Sequence, residues 1–300
     1  MIGVDLGGTT IRAAVVDGSD TIVSRVQLPT PTGSELDLLA ALEDAIGEVL
    51  TADVAAIGVA VPSRIDRARG RAVSSTNVPL DNLDLRDVLA RRFGRPVQIE
   101  NDATAAAIGE WQLGAGRGSR NLVMLTLGTG IGGGLILDGR PYRGTTGAAA
   151  EIGHIVVDLD GPRCQGTCEG RGHLEGLASG TAADALAREL FGPGADAHTL
   201  VGAAEGGNRE AIAALDRIGR YLGAGIASLV NLLEPELVVV GGGFAAAGEL
   251  LLGPARAVLA RDGVTPSRDT VRVVLAALGP DAGLLGAALV GRELLAGAPS

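Results

Sequence analysis

The sequence predicts an α/β protein of two lobes, each built round the same kind of mixed sheet, with a cleft between them. Three observations predict it. "IGVDLGGTTIRAAVVDG", from Ile2, reads as strand, glycine turn, strand and a closing Asp17-Gly18; "LVMLTLGTGIGGGLILDG", from Leu122, repeats that order down to Asp138-Gly139. Strand and helix patterns alternate through the rest of the chain, as in sheets covered by helices. The length, 300 residues, is past the size at which one hydrophobic core goes on growing.

Taken in order, a third strand ending near Leu28 extends the first hairpin. Residues 34–50 carry Leu36, Leu39, Leu42, Ile46 and Leu50 at helical spacing. A buried strand is expected over 54–61, a helix over 84–93, a strand over 95–100 and an Ala-rich helix starting near Ala103. The loop-like "GAGRGSR" marks the passage between lobes, within 106–120. The lobes are then 1–107, completed by a C-terminal helix 283–300, and 108–282. In the second, helices are expected over 180–191, 208–233 and 246–261, and strands over 236–243 and 271–278; a last helix covers 283–296. The apolar helices 208–233 and 246–261 offer a homodimer face, although the same pattern suits a core.

Composition narrows the function. Aromatic residues are only 2% while Gly, at 47 residues, and Ala are abundant, so the core is aliphatic and its helices pack closely on the sheets. A net charge of −10 argues against a nucleic-acid surface, which needs clustered cations. All 25 basic residues are Arg. The absence of Lys excludes a Walker P-loop, a pyridoxal Schiff base and the strand lysine of protein kinases. Met1-Ile2-Gly3-Val4-Asp5 reads as a strand rather than a leader, and no apolar run reaches the length of a membrane span. A soluble, cytoplasmic protein is expected. In that compartment Cys164 and Cys168 suit thiols or metal ligands better than a disulfide.

Three glycine turns are candidate phosphate sites: Gly7-Gly8-Thr9-Thr10, Gly128-Thr129-Gly130 with Gly132, and Gly241-Gly242-Gly243. Without Cβ atoms, their amides can converge on an anion. Asp5, ending the first strand, is placed to hold a water on Mg²⁺. Asp102 lies between a strand and a helix, where it suits an N-cap or a general base that takes a proton from a hydroxyl. His154, Cys164, Cys168 and His173 are four of the five Cys and His residues of the chain, gathered in one glycine-rich segment; they suit a closed, structural tetrahedral Zn²⁺. Glu151 and Glu175 flank them and are positioned to accept hydrogen bonds from vicinal hydroxyls.

These motifs resemble one family over essentially the whole chain, the ROK (repressor, open reading frame, kinase) sugar kinases. "DLGGTTIR", "ENDATAAAIGE", "LGTGIGGGLI", "EIGHIVVD", "CEGRGHLE", "LLEPELVVVGGG" and "DAGLLGAAL" follow in the family's order. The resemblance implies the actin-like, Hsp70-like ATPase fold and transfer of phosphate from ATP, with Mg²⁺, to the 6-hydroxyl of a hexose. It implies Asp102 as catalytic base and Asn101, Glu151, His154 and Glu175 as sugar ligands, His154 also binding zinc. It assigns the first two glycine turns to phosphate and Gly241 to Gly243 to the adenosine side. Three departures bear on the choice of sugar. Cys164 and Cys168 are separated by three residues and His173 stands where the third Cys of the usual C-x-C-G-x-x-G-C loop is expected. Ser63 follows Pro62 where glucokinase-like members have Gly, and its hydroxyl is expected to face the sugar. Leu83 stands where many members carry Trp. Glucose is the expected substrate, with kanosamine, glucosamine or N-acetylmannosamine as the alternative. A non-catalytic scaffold, or a sugar-responsive repressor, which in the family carries an added helix-turn-helix domain, is the reading of another class. Polyphosphate in place of ATP finds no run of basic residues to bind it.

Overall fold

The computed structural model describes residues 1–75 and 77–295; the end of the expected 283–300 helix lies outside the described residues. The first half contains β1 (Ile2–Leu6), β2 (Thr10–Val16), β3 (Ile22–Pro29), α1 (Glu35–Val49), β4 (Ile57–Val61), β5 (Arg64–Asp66), β6 (Arg71–Ser74), β7 (Asp81–Leu83), α2 (Leu85–Phe93), β8 (Val97–Asn101) and α3 (Asp102–Leu113). The second contains β9 (Leu122–Leu127), β10 (Ile131–Leu137), β11 (Arg140–Pro141), α4 (Leu174–Ala178), α5 (Gly180–Phe191), α6 (Ala197–Glu205), α7 (Arg209–Leu233), β12 (Leu237–Gly241), α8 (Glu249–Asp262), α9 (Ser267–Thr270), β13 (Arg272–Leu275) and α10 (Ala282–Glu293).

The duplication is a duplication of topology. One sheet runs β3-β2-β1-β4-β8 and the other β11-β10-β9-β12-β13. In both, the central hairpin is antiparallel and the next two strands are parallel to its first strand. β5, β6 and β7 form a separate three-stranded sheet, which the short polar segment 64–83 does not betray by periodicity.

The helices between the sheets explain the Gly and Ala content. α10 lies on the first sheet, where a Cβ on Gly3 or Gly58 would strike the carbonyls of Leu284 or Ala287. α3 lies on the second, where a Cβ at Gly132 or Gly134 would strike Ala103 or Ala107. The two helices cross backbone to backbone, Gly109 against Ala282 and Gly286 against Ala105. The 107/108 cut therefore falls inside α3; the loop-like stretch starts at its cap, Gly114. Fully buried Glu110 closes this region, its carboxylate accepting from Ala115 N, Ala277 N and Leu278 N at 2.8, 3.0 and 2.7 Å.

Two helix expectations are corrected, the buried phase of α1 and the start of the 246–261 helix. In α1 the buried face is Leu38, Leu42, Ala45, Ile46 and Val49, while Leu36 is 78% exposed, because the amphipathic phase is set by the residues that meet the sheet. α7 and α8 spend apolar surface on each other, Gly219 and Gly223 admitting the backbone of Leu251 and Ala255. The 246–261 helix is broken at its start, since Gly243–Ala247 is a 3-10 turn and α8 begins after Gly248 at φ 57.

Candidate active site

The ends of the two sheets face one cleft. Ser63 and Asn101 line it from the first sheet, Gly132 and Gly133 from the second, and Ala150 and Glu151 from the loop after β11. Asp102 lies in the chain between two residues of its lining, Asn101 and Ala103. The cap of α3 is Asn101, whose Oδ1 accepts from Thr104 N at 3.0 Å, not Asp102. Asp102 is thus the first helical residue. Its Oδ1 accepts from Ala103 N at 2.8 Å and from Asn101 Nδ2 at 3.1 Å, which leaves Oδ2 for a proton. A helix N-terminus by itself favours the carboxylate anion. Burial outweighs the Ala103 amide, and with the charge of Asp5 it pushes Asp102 up to about 7.

Asp5 pairs with Arg12 across the first hairpin at 3.6 Å. Burial nevertheless raises its carboxyl; Arg12 opposes this and Asp281 adds to it. Asp5 is the last residue but one of β1, next to the first glycine turn, and its charge adds to the raising of Asp102.

The first two glycine turns are tight hairpin turns. Gly7 N closes on Thr10 O at 2.9 Å, which leaves Gly8 and Thr9 at the exposed tip. In the second turn Gly128 N closes on Gly130 O at 2.9 Å, with Thr129 exposed. The third turn reaches the second: Gly242, at φ 87, passes so close to the Leu127 backbone that only glycine fits. α5 joins them, with Gly180 N donating to Gly128 O at 2.8 Å and Thr181 Oγ1 to Thr129 O at 2.8 Å. The sequence reading missed Gly180 and Thr181, although Ser179-Gly180-Thr181 ahead of a helix is an N-cap signal.

Other expected residues are differently engaged. Ser63 is 4% exposed and its hydroxyl points inward, 2.9 Å from Ser74 O and 3.0 Å from Arg64 O. Its one proton is committed to backbone, so the expectation of a hydroxyl facing the sugar is corrected. Glu175 Oε2 accepts from Ile131 N at 2.8 Å, packed against Gly130. Glu151 is half exposed; its Oε2 is 4.0 Å from His154 Nε2.

The other nitrogen of His154 joins the four-residue cluster. One ligand atom from each of His154, Cys164, Cys168 and His173 lies within 4.8 Å of all the others. His154 Nδ1 is 3.2 Å from His173 Nδ1 and 3.7 Å from Cys164 Sγ, and Cys168 Sγ is 3.6 Å from His173 Nδ1. Tetrahedral zinc, bound at about 2.0 Å to nitrogen and about 2.3 Å to sulfur, needs its ligands roughly 3.3–3.8 Å apart. The donor set fits. Both cysteines are free thiols. Burial, with Cys168 beside it, pushes the Cys164 thiol up to about 11, a penalty that a dication removes by holding the thiolate. Gly170 leaves room for the His173 ring, and Gly172, at φ 63, for the Asp158 carbonyl.

The ROK family model matches residues 1–293. The chain belongs to the ROK family. Among curated ROK relatives, a glucokinase of Thermotoga maritima is 40% identical over 99% of this chain and 98% of its own. An N-acetyl-D-glucosamine kinase of Pectobacterium atrosepticum is 34% identical over 80% of this chain and 83% of its own. The crystal structure of a ROK family glucokinase from Streptomyces griseus, in complex with glucose and AMPPNP, superposes with a TM-score of 0.87 at 35% identity, covering 98% of this chain and 99% of the other. The two-lobed, duplicated architecture is therefore the ROK sugar-kinase fold. No helix among the described residues is long and apolar enough to cross a membrane.

Proposed function

We propose that this ROK protein is an ATP-dependent kinase that phosphorylates the 6-hydroxyl of glucose, with Asp102 as general base. It is a sugar kinase, and glucose is the acceptor named for its glucokinase relatives. The observation that carries the mechanism is the state of Asp102: anchored at Oδ1, free at Oδ2 and poised near neutral pH. Such a base matches its proton affinity to the working pH. Asn101 fixes it, with Nδ2 on Oδ1 and Oδ1 on the helix amide.

The Gly7–Thr10 and Gly128–Gly130 turns, with Gly132 behind the second, receive the phosphates, and Gly241–Gly243 the nucleoside side. Mg²⁺ beside Asp5 would neutralise charge on the transferring phosphates. Asn101, Glu151 and His154 receive the sugar hydroxyls. Glu175, already bonded to Ile131 N, offers its other oxygen. Zn²⁺ on His154, Cys164, Cys168 and His173 would hold the His154 ring with Nε2 toward Glu151; its part is structural. The protein acts in the cytoplasm.

An amino-sugar acceptor is the second reading, supported by the N-acetyl-D-glucosamine kinase relative and by the exposed Glu151 carboxylate. ADP release with MgATP decides between them, measured on glucose, glucosamine, N-acetylglucosamine, N-acetylmannosamine and kanosamine with Asp102→Asn as blank. Turnover highest on glucose and lost in the variant upholds the proposal. Turnover highest on an amino sugar replaces it, and sugar binding without any turnover makes the protein a sensor.

A further inference from the structure

The loop that carries Glu151 is tied to the first sheet by one side chain. Arg143, just past β11, donates from Nε to Glu100 Oε2 at 2.7 Å, and its Nη2 lies 3.9 Å from Glu293 Oε2. Glu100 is the β8 residue before Asn101 and Asp102, and its side chain is 4% exposed. Arg67 reaches the same Glu100 oxygen, with Nη1 2.8 Å from Glu100 Oε2 and Nη2 2.9 Å from Glu293 Oε2. Two guanidiniums and two carboxylates balance, as buried charges must. The balance is imperfect at one atom: Arg143 Nη2 is buried with no hydrogen bond. Its guanidinium is oriented by Glu100 at the expense of its own satisfaction.

Beyond Arg143 the chain has little freedom. Ala149 N donates back to Arg143 O at 3.1 Å. Gly147, at φ 85, presses against the Ile65 carbonyl of the first half. Ala150 is held at φ 65, a left-handed conformation that an L residue adopts only when its surroundings over-determine it. Glu151 follows directly.

We propose that Arg143 is a positioning residue for the sugar: through Glu100 it clamps the 143–151 loop to the end of β8, and so sets the separation of Glu151 from Asn101 and Asp102. The proposal rests on reading the cleft as the sugar site. A carboxylate held by a loop serves a ligand only if the loop is fixed, because small displacements of a positioning group lower the effective concentration steeply. Arg67 is the internal control. It shares both carboxylates and is 22% exposed against 20% for Arg143, but it lies in the turn after β5 and not on the Glu151 loop.

The test compares Arg143→Met, Arg143→Lys and Arg67→Met in the full chain by steady-state kinetics, thermal melting and amide hydrogen exchange. Arg143→Met is expected to raise the glucose KM about tenfold or more while the ATP KM stays within about twofold. Exchange protection is lost over 143–151. Arg143→Lys, which keeps charge without the planar fork, falls between. Arg67→Met lowers Tm but leaves the glucose KM within about twofold. Equal glucose KM shifts in the two Met variants, or unchanged protection of 143–151 in Arg143→Met, overturns the proposal. If Arg143→Met does not fold, an unaltered glucose KM in Arg143→Lys overturns it. If the wild type turns over no hexose, the sugar-kinase reading of the cleft falls instead. The exchange comparison alone then decides whether Arg143 holds the loop.

Discussion

In the proposed mechanism Asp102 can serve as the base because Asn101 takes the cap. With that hydrogen bond assigned one residue earlier, the Asp102 carboxyl is left with two donors on one oxygen and a poorly solvated position beside Asp5. The raised pKa has two consequences of known sign. Catalysis needs the anion, so kcat/KM is expected to climb with pH through about 7 and level off above it. Asp102→Asn is expected to remove about 10²–10⁴ of kcat. For stability, a carboxyl whose folded pKa lies above its unfolded value of 3.8 favours the folded state fully below that value, and this contribution is lost as pH rises through about 7. Asp102→Asn is therefore expected to melt higher than wild type at pH 8, by about 2 °C or more, and to lose that advantage at pH 4. Melting curves at the two pH values check it, and an Asn variant less stable at pH 8 would contradict the burial account. Ser63 gives the opposite kind of forecast. Since its hydroxyl serves the Ser74 and Arg64 carbonyls, Ser63→Gly is expected to leave the glucose-to-glucosamine ratio of kcat/KM unchanged within about twofold, at some cost in Tm.

α3 and α10 join the two sheets at van der Waals contact of their backbones, which is why small residues dominate both. Gly286→Ala drives a methyl into the Ala105 carbonyl. Overpacking of this kind costs about 1–3 kcal/mol, and here neither helix can move without disturbing a sheet. The matched control is Gly47→Ala in α1, where nothing lies within 4 Å of the new Cβ. It is expected to stabilise by up to about 1 kcal/mol through helix propensity alone. Urea melts of both variants test the pair, and equal stabilities would show that the crossing is looser than its geometry implies. The 154–173 segment follows another logic. It has little secondary structure of its own beyond two isolated bridges, Val156 to His173 and Arg163 to Arg171. Its order is expected to depend on the bound ion.

For the whole molecule, removal of zinc is expected to lower Tm and release one equivalent of metal per chain, as the binding energy of a structural site is folding energy. A chelator titration followed by melting and metal analysis measures both; a chain with no zinc and an unaltered Tm would return the cluster to free thiols and imidazoles. Glucose and a non-hydrolysable ATP analogue, as ligands of the native state, should each add about 2.7 kcal/mol of stability by linkage at a hundredfold excess over Kd, and so raise Tm. The net charge of −10 does not oppose this, since each proposed phosphate turn would offer backbone amides rather than side-chain charge.

Much of this was legible in order and spacing. The repeated hairpin announced two like sheets because strand periodicity and glycine turns are local properties, and the four soft ligands stood out because so few exist in the chain; the fold brings their ligand atoms within 4.8 Å of one another. What stayed hidden depends on contacts distant in sequence. The direction of the Ser63 hydroxyl is set by Ser74, the pKa of Asp102 by Asp5 and burial, and the phase of α1 by the sheet beneath it. The clamp of Arg143 on Glu100 joins two sheets and has no periodicity at all. The sequence by itself determined which chemical groups exist and which local turns present them, because torsional preference and hydrophobic period act over a few residues. Only the tertiary structure decided which groups are buried together, because desolvation and charge coupling depend on neighbours that the fold alone brings within a few ångströms.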